Sequence, residues 1–464
     1  MTCGVGERGA TAGERGCRGD PQWILRRNRA ETRHCFDGGM PPVTQGHHYD
    51  YVVIGCGSIG SMALWQLTEL APDASVLGIE RFGRIHTKGS YSGESRLFRV
   101  ALKEGGIYIP LVREARRMWC ELNERTGREI FLPVGAISVA PADFPTMVQT
   151  MEVINSHGLD HEVLDADQLA ERYPAFAAAP DGADPDIAII DPAGGGIRPE
   201  LAVATAQQLA LGAGATLWDN TRVLSVEPGA GEGGTTVIRM EGPAGTDEPV
   251  EIIADKVIVA NVSWAADLYP DLAEHISVRT IPLTWYLPLQ ITNFLPENLP
   301  IFMRDITTSD GAVWHCYGAP SLDGYSVKIS HGDFSGNAPT PDGLKELRTG
   351  VLPEILTKVF AERSSAFFDG ILDDPVRMTL HHDGFTADHA PILSTVPGSD
   401  GAVTIATGMS GNGMKFAPIY GRITAELAIF GESSLRPTSF DYPTEDAPRT
   451  PKAVTSMHSP AAYP

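Results

Sequence analysis

"YVVIGCGSIG", Tyr51–Gly60, decides the fold. Four apolar residues lead into three glycines, Gly55, Gly57 and Gly60, at the spacing G-x-G-x-x-G. Alone, such a triplet also suits a plain turn between a strand and a helix. Its surroundings narrow the reading. Ser58 to about Leu70 carries apolar residues at helical spacing, and Val76–Ile79 is a second apolar run that ends on Glu80. Strand, glycine turn, helix and strand in about thirty residues is the βαβ unit that holds a dinucleotide. Gly55 permits the tight turn, Gly57 lets the backbone approach a pyrophosphate, and Gly60 lets helix and strand close up. The head of the helix, Ser58 and Ile59, offers N–H groups and the positive end of a dipole to phosphate oxygens. Glu80, followed by Arg81, stands where a carboxylate accepts from an adenosine ribose and opposes a 2′-phosphate. NADP is thereby disfavoured, while FAD and NAD both stay open.

Bulk properties exclude several other classes. The 464 residues suffice for two domains sharing a large core. A net charge of −22 opposes a nucleic-acid partner, which demands a basic surface. No apolar run reaches the length of a bilayer span, so no membrane partner is expected. The six cysteines form no C-x-x-C pair: Cys3, Cys17 and Cys35 lie near the N-terminus, and Cys56, Cys120 and Cys316 in the body. That usage suits free thiols in a reducing, cytoplasmic compartment. The histidine pairs His47/His48 and His381/His382 show no ligand spacing, and no metal is expected. Residues 1–39 hold eight Gly and seven Arg without hydrophobic periodicity. We expect a disordered extension over 1–48 and a tail over 443–464.

Four further stretches carry a resemblance: "HTKGSYSGESRLFRVALKEGGIYIPL" (His86–Leu111), "LDADQLAERYPAF" (Leu164–Phe176), "YGAPSLDGYSVKISH" (Tyr317–His331) and "IATGMSGNGMKFAPIYGRITAELA" (Ile405–Ala428). In order and approximate spacing they resemble the flavin amine oxidases of the monomeric sarcosine oxidase and N-methyltryptophan oxidase type, in the D-amino acid oxidase superfamily. The resemblance covers roughly Tyr49–Gly431. It implies FAD as the cofactor. It also implies the fold class, α/β (α+β): a discontinuous Rossmann-like FAD-binding domain from 49–133, 186–276 and 384–442, with a substrate domain from 134–185 and 277–383 built on an antiparallel sheet.

The resemblance implies roles residue by residue. Arg96 lies against the flavin, with Gly89 and Ser90 on the same cofactor-binding segment. Arg99 and Lys415 bind the substrate carboxylate, a planar fork and a point charge on one anion. Lys328 faces the flavin N5 edge, where a fixed cation stabilises charge developing on dioxygen. Tyr317 lines the pocket near the amine. His331 is a further catalytic candidate, although it follows Lys328 by three residues where the family histidine follows by four. Gly411, Asn412, Gly413 and Met414 form the flavin-contacting loop, whose N–H groups hydrogen-bond the pyrimidine oxygen.

Departures from the family pattern bear on the substrate. The stretch Met378–Ile392, where sarcosine oxidases carry a cysteinyl flavin link, has no cysteine, with Leu380 near that place; FAD is therefore expected to be noncovalent. Val262 replaces a glycine, Thr284 an arginine, and Tyr91 and Ser92 stand in place of histidines. The expected activity is FAD-dependent oxidation of the C–N bond of a secondary amine or amino acid bearing a carboxylate. It gives an imine and, with O2, hydrogen peroxide, in a monomer or small homo-oligomer. No dedicated protein base is required if the amine binds unprotonated. The alternatives are a dehydrogenase with another electron acceptor and a non-catalytic flavin-binding protein.

Overall fold

The first strand, His47–Ile54, pairs in parallel with Val76–Ile79 on one side and Val250–Val259 on the other. The computed structural model describes residues 46–444 and Arg449, except 103, 180–182, 243–247, 333–335 and 338–353. Thr216–Trp218 extends the sheet beyond Val76–Ile79, again in parallel. The far edge of Val250–Val259 is shared. Its beginning pairs antiparallel with Thr236–Met240, and its end pairs parallel with Val403–Thr407. Val76–Ile79 and Val403–Thr407 are buried at every position. That is the mark of parallel strands covered on both faces. The helix Ser58–Leu70 is buried from Ser58 to Thr68 because the sheet covers one side and the helices Pro199–Gly212 and Ala417–Phe430 cover the others.

A second, nine-stranded sheet runs in the order Gly336–Asn337, Ser277–Tyr286, Val327–His331, Val313–Ala319, Ile301–Thr307, Ala136–Pro141, Asp186–Asp191, Glu162–Leu164. The ninth strand, Arg377–Phe385, lies along the other edge of Ser277–Tyr286. Its pairings are antiparallel with one exception: Ile301–Thr307 runs parallel to Ala136–Pro141. Hairpins impose antiparallel pairing, and no hairpin joins these two strands, which come from distant parts of the chain. The expected boundary before Asp186 falls one strand too early. Asp186–Asp191 pairs with Ala136–Pro141 along its whole length and belongs to this second sheet. The expected N-terminal extension and C-terminal tail fall almost entirely outside the described residues. Among the described residues no helix is long and apolar enough to cross a membrane.

Alternation along the second sheet sets up the site. Cys316, Val327 and Ile329 turn into a core with Phe302, Tyr286 and Phe367. Full burial of such side chains contributes about 1.5–3 kcal/mol each. His315, Tyr317 and Lys328 take the opposite face and line a cavity. A small third sheet of Arg96–Phe98, Gly195–Ile197 and Phe131–Leu132 brings Arg96, and Arg99 just past its end, to that cavity.

Candidate active site

Two adjoining cavities, a larger lobe of about 710 Å³ and a smaller one of about 280 Å³, have Ser58, Ser90, Tyr91 and Val262 in both their walls. The larger lobe is lined by Gly55, Gly57, Ser58, Glu80, Arg81, Gly89 and Ser90. Ile59 and Gly60 stand behind this wall in a structural role. Gly55 has φ +86°, and a Cβ on Gly60 would lie 1.8 Å from the Gly55 carbonyl oxygen. The helix that follows has neither a side-chain cap nor an acid in its first turn, which leaves its head to an anion. Glu80 accepts from the Cys56 N–H at 2.9 Å and the Phe82 N–H at 3.0 Å, which fixes its carboxylate against the turn. The strand Arg377–Phe385 divides the lobes. Met378, Leu380 and His382 face the larger one, and His381, Asp383 and Phe385 the smaller. Val262, at their junction, has φ +45°, a left-handed conformation unusual for a β-branched residue. The glycine that the family pattern calls for here answers that backbone requirement.

The loop Ser90–Ser95 is gripped from several sides. Arg96 donates to the carbonyls of Ser90, Ser92 and Ser95. Lys328, 3% exposed, donates to Ser95 O at 2.7 Å and Gly93 O at 3.2 Å. Glu200 accepts from the Gly93 N–H at 2.6 Å and the Glu94 N–H at 3.3 Å, and the Glu94 carboxylate accepts from Trp285 and Arg377. Burial, then the neighbouring Arg96, pulls the Lys328 pKa well below the usual lysine range. Burial lowers that of Arg96 as well.

Arg99 and Lys415, far apart in sequence, converge. Both are buried, and both point at one oxygen of Glu104, with Arg99 Nη2 at 3.7 Å and Lys415 Nζ at 3.3 Å from Oε1. Lys415 sits on the 3-10 turn Met414–Phe416, and its carbonyl accepts from Trp119 Nε1 at 3.1 Å. Asp191 holds the chain just after Arg99, accepting from the N–H groups of Val100 and Ala101 at 2.6 and 2.9 Å. The two cations thus share one carboxylate oxygen of the chain itself.

Tyr317 lines the same lobe, its hydroxyl pushed up to about 12 chiefly by burial. The loop Gly411–Met414 lines it too, but two of its N–H groups are engaged internally. Gly411 donates to Asp383 Oδ2 at 2.6 Å, and Asn412 to Met409 O at 2.9 Å. Asp383 is pushed up to about 6 by burial, against the pull of the Gly411 and Gly384 N–H groups. His331 also lines the smaller lobe. Its ring stacks on Phe360 with centroids 5.4 Å apart, and its Nε2 meets Ser364 Oγ at 3.0 Å, so it forms cavity wall from the core face of its strand. Burial lowers its pKa to about 3.

Several residues at the site went unselected in the sequence. Glu104, Asp191, Glu200 and Asp383 each act through contacts across the fold, which no local pattern announces. His315 is different, because the alternation of "VWHCYGA" already puts it on the face of Tyr317.

Comparison with known proteins identifies the family of the chain. The sequence pattern of the family described as DAO, FAD dependent oxidoreductase, matches residues 50–427. The chain is 29% identical over 388 residues to a monomeric sarcosine oxidase of Streptomyces avermitilis, covering 83% of this chain and 95% of that one. It is also 29% identical over 385 residues to an N-methyl-L-tryptophan oxidase of Citrobacter koseri, covering 82% and 94%. Among solved structures, the open form of NikD, an unusual amino acid oxidase essential for nikkomycin biosynthesis, superposes with a TM-score of 0.72 at 21% identity, over 85% of this chain and 97% of that one. At that identity the likeness speaks for the fold.

Proposed function

The chain belongs to the FAD-dependent oxidoreductase (DAO) family, and from that premise we propose that it oxidises the C–N bond of a secondary amine or amino acid bearing a carboxylate. The residues present fit the cofactor. The larger lobe carries the glycine turn, the uncapped helix head and Glu80, and it adjoins the smaller lobe at Ser58, Ser90, Tyr91 and Val262. A dinucleotide would lie along both. With no cysteine between Met378 and Ile392, FAD is held without a covalent bond. When bound, FAD supplies two-electron chemistry, accepting a hydride equivalent from carbon and returning two electrons to oxygen as hydrogen peroxide.

One observation carries the substrate class. Arg99 and Lys415 converge on a single carboxylate oxygen inside the smaller lobe, and the carboxylate they hold stands in for that of a substrate. The protein's own contribution is anchoring and electrostatics. Arg99 and Lys415 fix the acid end, so that the amine is presented in one orientation. Tyr317, kept neutral by burial, offers a hydroxyl near the amine. Arg96 and Lys328 shape the Ser90–Ser95 loop, and Lys328 places the cation that answers charge developing on oxygen. The N–H groups that follow Asn412, at the head of the turn Met414–Phe416, would serve the pyrimidine edge of a bound flavin. The product imine leaves to hydrolyse in water.

The test is anaerobic bleaching of the yellow holoprotein by N-alkyl amino acids and cyclic imino acids. Their decarboxylated counterparts serve as controls. Bleaching by the acids, at least tenfold tighter than by the controls, is expected. Equal response to both sets would remove the carboxylate from the reading. Peroxide formation on admitting air separates an oxidase from a dehydrogenase.

A further inference from the structure

His315 is buried at the wall of the smaller lobe, and its Nδ1 lies 2.5 Å from Asp305 Oδ1. The other oxygen of Asp305 accepts from Thr146 Oγ1 at 3.0 Å, so the carboxylate is itself held in place. An ionised carboxylate only accepts, so Nδ1 carries the proton and Nε2 presents a lone pair. No partner for Nε2 is found among the described residues. The strand alternation puts His315 on the face of Tyr317 and Lys328. Gly332, the next position on that face after Ser330, leaves room for the ring. A Cβ at Gly332 would lie 2.8 Å from His315 Cδ2, so the imidazole fills the space a side chain there would take. This is a built arrangement: an oriented imidazole, a buried carboxylate behind it, and a cleared neighbour in front.

We infer that the Asp305–His315 pair is the proton acceptor for the substrate's amino group. The inference rests on the reading of the substrate as a carboxylate-bearing amine, and it adds a group that reading did not need. Amino acids reach the site from neutral water as ammonium zwitterions, and an ammonium has no lone pair to assist loss of hydride from its carbon. The N–H bond of the ammonium breaks, its electron pair stays on nitrogen, and the proton forms a bond to Nε2 of His315. The resulting imidazolium keeps its Nδ1–H on Asp305, whose negative charge balances it. The proton leaves to solvent through the cavity after the product departs. The titratable and charged groups around the imidazole are Asp305 from Ile301–Thr307, Tyr317 on its own strand and His331 from the adjoining strand; Arg96, Arg99, Glu104, Lys328, His381, Asp383, His389 and Lys415 share the cavity.

The experiment compares the wild-type holoprotein with His315→Asn and Asp305→Asn. Anaerobic flavin bleaching is followed against substrate concentration and pH, so that affinity and rate are read separately. Binding of a carboxylate of equal length, with a methylene in place of the amine nitrogen, is followed by calorimetry. For His315→Asn we expect the limiting rate of bleaching at neutral pH to fall roughly a hundredfold. The loss should shrink as pH rises and free amine becomes abundant, while the amine-free carboxylate binds as in the wild type. Asp305→Asn should slow bleaching with the same alkaline recovery, because the imidazole loses its fixed tautomer. If His315→Asn does not accumulate as holoprotein, Asp305→Asn decides alone. A rate and pH profile within twofold of wild type overturns the inference. So does an equal loss of affinity for the amine-free carboxylate, which would make His315 a wall residue. A wild type bleached by no amino acid overturns the functional reading and this inference with it; a wild type bleached as expected, beside an unaffected variant, overturns this inference alone.

Discussion

On the proposed reading Glu104 occupies the place between Arg99 and Lys415 that a substrate carboxylate takes, so removing its charge should tighten the binding of anionic ligands. At 3.3–3.7 Å the gross attraction to one cation is about 5 kcal/mol for an effective dielectric near 20. Most of that is offset by desolvation, and a charge-assisted hydrogen bond is worth about 1.5–3 kcal/mol net. A ligand that must displace Glu104 forfeits roughly this amount. Glu104→Gln keeps the shape of the side chain and lifts the competition. Its dissociation constant for a small dead-end carboxylate should therefore fall about tenfold to a hundredfold. The assay is titration of the holoprotein at constant ionic strength, followed by flavin absorbance and by calorimetry. Arg99→Ala in the Glu104→Gln background should abolish the gain, because the freed cation is what the ligand uses. Unchanged or weaker binding in Glu104→Gln would refute the reasoning, since it would show that ligand and Glu104 do not share a place.

Lys328→Met should leave bleaching by substrate nearly intact and slow reoxidation by oxygen by orders of magnitude, because the lost interaction grows only as oxygen gains charge; rapid-mixing measurement of the two half-reactions checks it. Val262→Gly should melt at or above the wild-type temperature. Relief of the left-handed backbone is worth about 1–3 kcal/mol, against roughly 0.5–1 kcal/mol for the added freedom of the unfolded glycine. Burial raises Asp383 from its usual value to about 6, so its stabilising contribution is complete below about pH 4 and lost as pH rises through about 6. Asp383→Asn should flatten the fall in melting temperature between pH 4 and 7. Acid or heat precipitation should release FAD into the supernatant, whereas colour retained in the pellet would reveal a covalent link.

Much of the fold was legible because it is written in local patterns. The glycine turn and its helix occupy Ser58–Leu70 as their spacing implies, and Val76–Ile79 is a strand throughout. Strand parity was legible too: His331 follows Lys328 by an odd number of residues, which turns it to the core face. The parallel seam between Ile301–Thr307 and Ala136–Pro141 was not legible, since nothing in either strand encodes which distant edge it meets. Glu104 escaped for the same reason. A glutamate in "LKEGG" reads as a solvated loop residue until Lys415 is brought beside it by the C-terminal helix.

The strand Val250–Val259 completes its pairing only when Val403–Thr407 arrives, and Glu104 gains its second cation only when Lys415 does. On a ribosome adding about 5–20 residues per second, roughly 20–70 s separate the emergence of the glycine turn from that of Lys415. Once Val250–Val259 has emerged, its last three residues wait without a partner on that edge until Val403–Thr407 follows, and the cofactor has part of its binding site. Such pairings of high sequence separation form slowly, because loop closure is unfavourable until distant contacts offset it. Newly made chains should therefore pass through a cofactor-free, aggregation-prone phase. Supply of flavin late in synthesis, together with chaperones that cover strand edges, would govern how much active protein a cell obtains.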